Sequence, residues 1–144
     1  MATTATLTLA SADIAGDPVS VSKTATLTKA GSTNDLDQSI GLNRVHLRST
    51  TQKTLLAANA EGDNLAAKVY IVNKSDDASL YITVAINAQT TGKLYGGDFM
   101  LIPWSQTDTS ASIKVAATNW TSSTGDIPVE YALFHEDTDF LTNA

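Results

Sequence analysis

Three runs dominate the middle of the chain: Lys68-Val69-Tyr70-Ile71-Val72-Asn73, then Leu80-Tyr81-Ile82-Thr83-Val84-Ala85-Ile86, then Leu94-Tyr95-Gly96-Gly97-Asp98-Phe99-Met100-Leu101-Ile102-Pro103-Trp104. Each is rich in β-branched and aromatic residues, which fit a pleated surface and lose rotamer freedom in a helix. Short polar turns separate them, so the three read as consecutive antiparallel strands. Phe99 to Trp104 is continuously apolar, as in a strand buried on both faces or one that feeds an oligomer interface. Pro103 cannot donate to a ladder and marks a strand end or an edge.

The flanking sequence carries the same period. Thr4-Ala5-Thr6-Leu7-Thr8-Leu9 and Val19-Ser20-Val21-Ser22 alternate, and Thr24-Ala25-Thr26-Leu27-Thr28 repeats the pentapeptide of positions 4 to 8. The chain contains 21 Thr and 13 Ser among 144 residues, which suits strands with one solvated face because threonine is β-branched yet polar. Residues 29 to 43 hold Gly, Ser, Asn and Asp with little apolar content and read as a loop. Arg44 to Ser49, Ala111 to Ala116 and Ile127 to Phe134 read as further strands, and Thr54 to Ala60 is the one run with helical character. The sum is roughly eight strands without an amphipathic helix: an all-β antiparallel β-sandwich or jelly roll. A chain of this length forms one domain, here a β-sandwich over residues 17–144 preceded by an N-terminal arm, residues 1–16. The arm's Thr/Ala alternation lacks bulky apolar anchors.

Composition excludes several kinds of chemistry. There is no cysteine, hence no disulfide, thiolate nucleophile or Cys-ligated metal. The net charge of -6 opposes nucleic-acid binding, which needs clustered Lys and Arg. The N-terminus shows neither a basic n-region nor an apolar h-region, and no apolar stretch reaches membrane-spanning length, so neither secretion nor a membrane partner is expected.

The candidate sites are sparse. His46, and His135 with Glu136, Asp137 and Asp139, lack the spacing of a zinc site, and Asp35, Asp37, Asp76, Asp77 and Asp98 lack the EF-hand pattern. No serine lies in a G-x-S-x-G elbow, and Gly96-Gly97 joins strands where a phosphate loop would open a helix. No catalytic residue, metal or cofactor is expected. The sequons at Asn73 and Asn119 carry no weight without a secretory signal. The residues left are apolar: Phe99, Met100, Leu101, Ile102 and Trp104 are expected in the core and at a homo-oligomer or capsid seam. Trp120, in a polar loop, is a further contact candidate. Trp104, Trp120, Tyr81 and Tyr95 form an alternative platform for sugar stacking.

The order Tyr70-Ile71-Val72-Asn73, Leu80 to Val84 and Leu94 to Trp104, with the Thr-rich opening and Leu27-Thr28-Lys29-Ala30-Gly31, resembles small virion proteins of tailed bacteriophages from aquatic and marine bacteria. That resemblance implies a non-enzymatic virion structural protein. Its first form is a capsid decoration (cement) protein that binds the major capsid protein as a homotrimer at a local three-fold axis. It would be assembled in host cytoplasm and displayed on the capsid surface. A tail, fibre or adaptor component and a carbohydrate-binding receptor module are the alternatives.

Overall fold

The computed structural model describes residues 2–12, 16, 19–29, 32–36, 38–57, 66–105 and 112–136. Among them there are strands and turns only: β1 (Thr4–Ser11), β2 (Val19–Thr26), β3 (Gln38–Ser39), β4 (Asn43–Leu47), β5 (Lys53–Leu56), β6 (Ala66–Asn73), β7 (Tyr81–Ile86), β8 (Gln89–Tyr95), β9 (Phe99–Ser105), β10 (Ile113–Ala116) and β11 (Ile127–His135).

The last eight strands nest as one long hairpin. Its apex is the β7–β8 turn, and outward from it β6 pairs with β9, β5 with β10, and β4 with β11, all antiparallel. Rolling this ribbon adds two pairings, β10 with β7 and β11 with β6. The result is two facing sheets of order β5-β10-β7-β8 and β4-β11-β6-β9, which is the jelly roll. β3 continues β4 along the same side of β11: Tyr131 faces Asn43 while Phe134 faces Ser39, so one strand has an extra residue. Gly41, at φ +82°, accommodates that bulge.

Alternation decides what lies between the sheets. Val69 and Ile71 of β6, Ile82 and Val84 of β7, Ile113 and Val115 of β10, and Ile127 and Val129 of β11 are all fully buried and form one cluster. Every second residue of each strand supplies it, as period 2 requires. The one buried polar side chain among the described residues is Asn73, at the end of β6. Its Nδ2 donates to the carbonyls of Leu80 and Leu94, both at 3.0 Å, and its Oδ1 accepts from the Ser75 amide at 2.9 Å. One amide thus ties the end of β6 to β8 and to the residue that leads into β7 of the other sheet. Gly96 sits beside this clamp because a Cβ there would lie 2.4 Å from the Asp77 carbonyl oxygen.

At the apex, Asn87 and Ala88 both have positive φ, 53° and 61°. They form a two-residue turn of mirror-image type, whose twist matches that of the strands. The strand therefore resumes at Gln89. Ala88 is strained in this conformation. Ala88→Gly should raise stability by about 0.5–1 kcal/mol, read as a higher urea midpoint with unchanged slope.

Two expectations are corrected. Lys53 to Leu56 form strand β5, not a helical turn. A lone run so short cannot sustain helix nucleation, whereas pairing with β10 buries Leu56; Ala58 to Ala60 lie outside the described residues. The loop after Thr28 is anchored as well. Thr28 bridges Asp35, the Leu36 amide donates to Leu27 at 2.8 Å, and Leu36 is fully buried. Lys68, on the outward parity of β6, donates to the Thr28 carbonyl at 3.1 Å, which lays this segment over the outer face of the β6 sheet.

The N-terminal strands stand apart as a two-stranded sheet, from Thr4 opposite Thr26 to Ser11 opposite Val19. Residue 16 therefore falls in the connection between two paired strands. One face of the hairpin carries hydroxyls, with Thr6 and Thr24 hydrogen-bonded at 3.0 Å. The other carries Leu7, Leu9, Val19 and Val21, all exposed.

Candidate functional site

Among the described residues strand β9 pairs with β6 alone and forms the edge of its sheet. Its pleat divides the five predicted contact residues that it carries. Met100, Ile102 and Trp104 point inward and pack on the core, with Trp104 only 4% exposed. Phe99 and Leu101 point outward and are 61% and 41% exposed. The strand is apolar on both faces, yet only one face is in the core. Trp120 is half-buried against the core from its loop, and its Nε1 is buried without a hydrogen-bond partner among the described residues. It does not join Phe99 and Leu101.

What joins them is the hairpin. Ala5, Leu7, Ala25 and Leu27 face Phe99 and Leu101 across an open groove of about 400 Å³, a size typical of binding clefts. Lys23 stands in the groove and has no acidic partner among the described residues. Asp98, next to Phe99 at the rim, uses Oδ2 to accept the Tyr95 amide at 3.0 Å. Sequence reasoning missed the hairpin's share of this surface. The signal was present in Leu7, Leu9, Val19 and Val21, which fall on one face once the two strands are paired in register.

The opposite sheet carries an aromatic pair. Tyr81 and Tyr95 lie on the outward parity of β7 and β8, with ring centroids 5.1 Å apart and tilted by 51°. Lys93 Nζ lies 4.4 Å above the Tyr81 ring. Of the four aromatic residues considered as a sugar platform, the structure therefore unites Tyr81 and Tyr95. Trp104 is inside and Trp120 packs against the core.

The polar candidates are taken up by local structure. His46 Nδ1 lies 4.0 Å from Asp126, which Arg48 grips at 2.8 Å. His135 is seven residues away along β11 from the position opposite His46, and its Nδ1 lies 3.0 Å from the Glu136 carbonyl. Glu136 pairs with Lys29 at 3.1 Å and accepts from Asn34 at 2.8 Å. Asp37, Asp137 and Asp139 lie outside the described residues. Among the described ones no three metal-ligating side chains gather. The Ser79 hydroxyl, and then its amide, hold the Asp77 carboxyl below its ordinary range. The stabilisation from this turn is present above the usual carboxylate pKa and fades as pH falls through the lowered one. Both sequon asparagines are structural: Asn119 donates to Ser79 at 2.9 Å and accepts from the Tyr81 amide at 3.1 Å, much as Asn73 clamps its own turns.

The fold and the surface define a jelly-roll sandwich with an apolar patch that lies outside the core. No family model, curated protein or solved structure matches the chain.

Proposed function

We propose that this is a non-enzymatic structural protein of a phage virion, a capsid decoration protein that adheres to the major capsid protein on the outer shell. The observation that carries the reading is the placement of apolar surface. Between the sheets, aliphatic side chains and Trp104 pack together, and the one buried polar side chain among the described residues, Asn73, hydrogen-bonds to backbone groups. Outside, Leu7, Leu9, Val19, Val21, Phe99 and Leu101 are exposed on a hairpin and a sheet edge. An apolar cluster packed between the sheets, with a further apolar patch outside it, is suited to contact with a partner surface. Jelly rolls recur in capsid and lectin domains, which agrees with this reading without singling it out. The hairpin supplies the arm that such a protein lays across its neighbours.

A binder of the assembled shell stabilises it according to occupancy and affinity. Particles lacking the protein should therefore release DNA at lower temperature, or on weaker osmotic shock, than complete ones. Equal endurance of the two, with normal shells but defective tails, would move the protein to the tail, fibre or adaptor role. The outward-facing Tyr81–Tyr95 pair, half-buried at Tyr81 and exposed at Tyr95, favours a sugar-contacting receptor module as the second reading. Loss of host adsorption in a Tyr81→Ala, Tyr95→Ala double variant, with shell endurance unchanged, would establish it.

A further inference from the structure

We infer that the groove between the hairpin and β9 is one half of a two-fold interface, and that its occupant is the same rim of a second copy of this chain. A two-fold interface needs a single patch that is its own complement. This patch holds both members of each complementary pair. The groove of about 400 Å³ is the socket, and Phe99, 61% exposed at its rim, is the projection that fits it. Lys23 is the lone cation within it. Asp98, immediately before Phe99, is an exposed anion whose Oδ2 is engaged with the Tyr95 amide, leaving Oδ1 to accept.

Placing Phe99 in the partner's groove brings Asp98 toward the partner's Lys23, and the symmetry operation makes the reciprocal contact at no further structural cost. The chain is acidic, at net charge -6, so copies repel at long range. The patch is the exception, since the described hairpin strands contain Lys23 and no carboxylate.

The size of the patch agrees with this occupant. The exposed parts of Leu7, Leu9, Val19, Val21, Phe99 and Leu101 amount to on the order of 500 Å² of apolar surface, against about 800 Å² per partner in a standard interface. That predicts a reversible, concentration-dependent dimer. β9 is also the sheet edge, and pairing or covering is how natural sheets dispose of an apolar edge. The dimer belongs to the free protein and uses the same six residues as the proposed capsid contact, so the two would compete for one patch; the first is read on free protein and the second on particles.

The test is sedimentation of the purified chain over a wide concentration range, with single-site variants. The wild type should move from 15.1 kDa toward twice that mass. Lys23→Glu sets a second anion against Asp98 and should weaken association at least tenfold at low salt, with the deficit shrinking as salt rises. Phe99→Ser should abolish association while circular dichroism stays that of the wild type.

Because the chain has no cysteine, Leu7→Cys and Phe99→Cys can each be made as single thiols. On mixing under oxidant, the heterologous cross-link should form faster than either self-cross-link. A monomer at every concentration, a trimeric mass, association indifferent to both Lys23→Glu and Phe99→Ser, or self-cross-links outpacing the mixed one would each overturn the two-fold interface.

Discussion

Asn73→Asp should be among the most damaging single-atom exchanges available in this chain, lowering stability by about 4 kcal/mol or more at neutral pH. The native amide gives both Nδ2 hydrogens to the carbonyls of Leu80 and Leu94 at 3.0 Å. A carboxylate there removes both donors and sets a charge against two carbonyl oxygens. An unsatisfied buried acceptor costs about 1–3 kcal/mol, and an unpaired buried charge costs more. Against a total stability of about 5–15 kcal/mol for a domain, that decides whether the sandwich holds. The sign of the pH dependence follows from linkage. Burial and the facing carbonyls raise the folded pKa of the new carboxyl above its unfolded value, so its penalty is smallest below the unfolded pKa and grows as pH rises through the folded one. Urea titrations of variant and wild type at pH 7 and pH 4 should show the gap narrowing at pH 4. An equal deficit at both pH values would mean that the lost donors and not the buried charge set the cost, and no deficit at either would mean that the two carbonyl contacts do not set the stability of this end of the sandwich.

Asn73 also marks the limit of what the sequence makes legible. Most strands of the roll are readable because antiparallel strands with one buried face write a period of two into the chain, as in Val69 and Ile71 or Ile127 and Val129, whereas β5 is too short to show it and reads as a helical run. Their nesting follows from short connections around the β7–β8 apex. Asn73 closes an apolar strand before a polar turn, and nothing local distinguishes a buried clamp from a solvated turn residue. Its partners are 7 and 21 residues away. Leu36 was hidden for a similar reason: a single apolar residue in a polar loop leaves no periodic signal, and its burial depends on the outer face of β6 and the bridge between Thr28 and Asp35. The hairpin strands were visible, but their common apolar face emerges only from the register that pairs Leu9 with Val21.

In strand β9 the division between core and outer face is not legible, because six apolar residues in a row erase the alternation that normally reports which face is buried. The structure restores it, and the two aromatic ends of the strand should respond very differently to truncation. Trp104→Ala removes a side chain that is 4% exposed and packed in the main cluster. The cavity left behind should cost about 3–5 kcal/mol. Phe99→Ala removes a ring that is 61% exposed, with Tyr70 as its aromatic neighbour at 6.3 Å. It should cost about 1 kcal/mol or less in the monomer, where surface changes have small effects. Denaturant titrations at low protein concentration, where association contributes nothing to stability, isolate this contrast. At high concentration the Phe99 deficit should grow, because the variant loses the partner as well as the ring, while the Trp104 deficit should remain dominated by the core. Equal costs for the two variants at low concentration would return Phe99 to the core and remove the projection on which self-association depends.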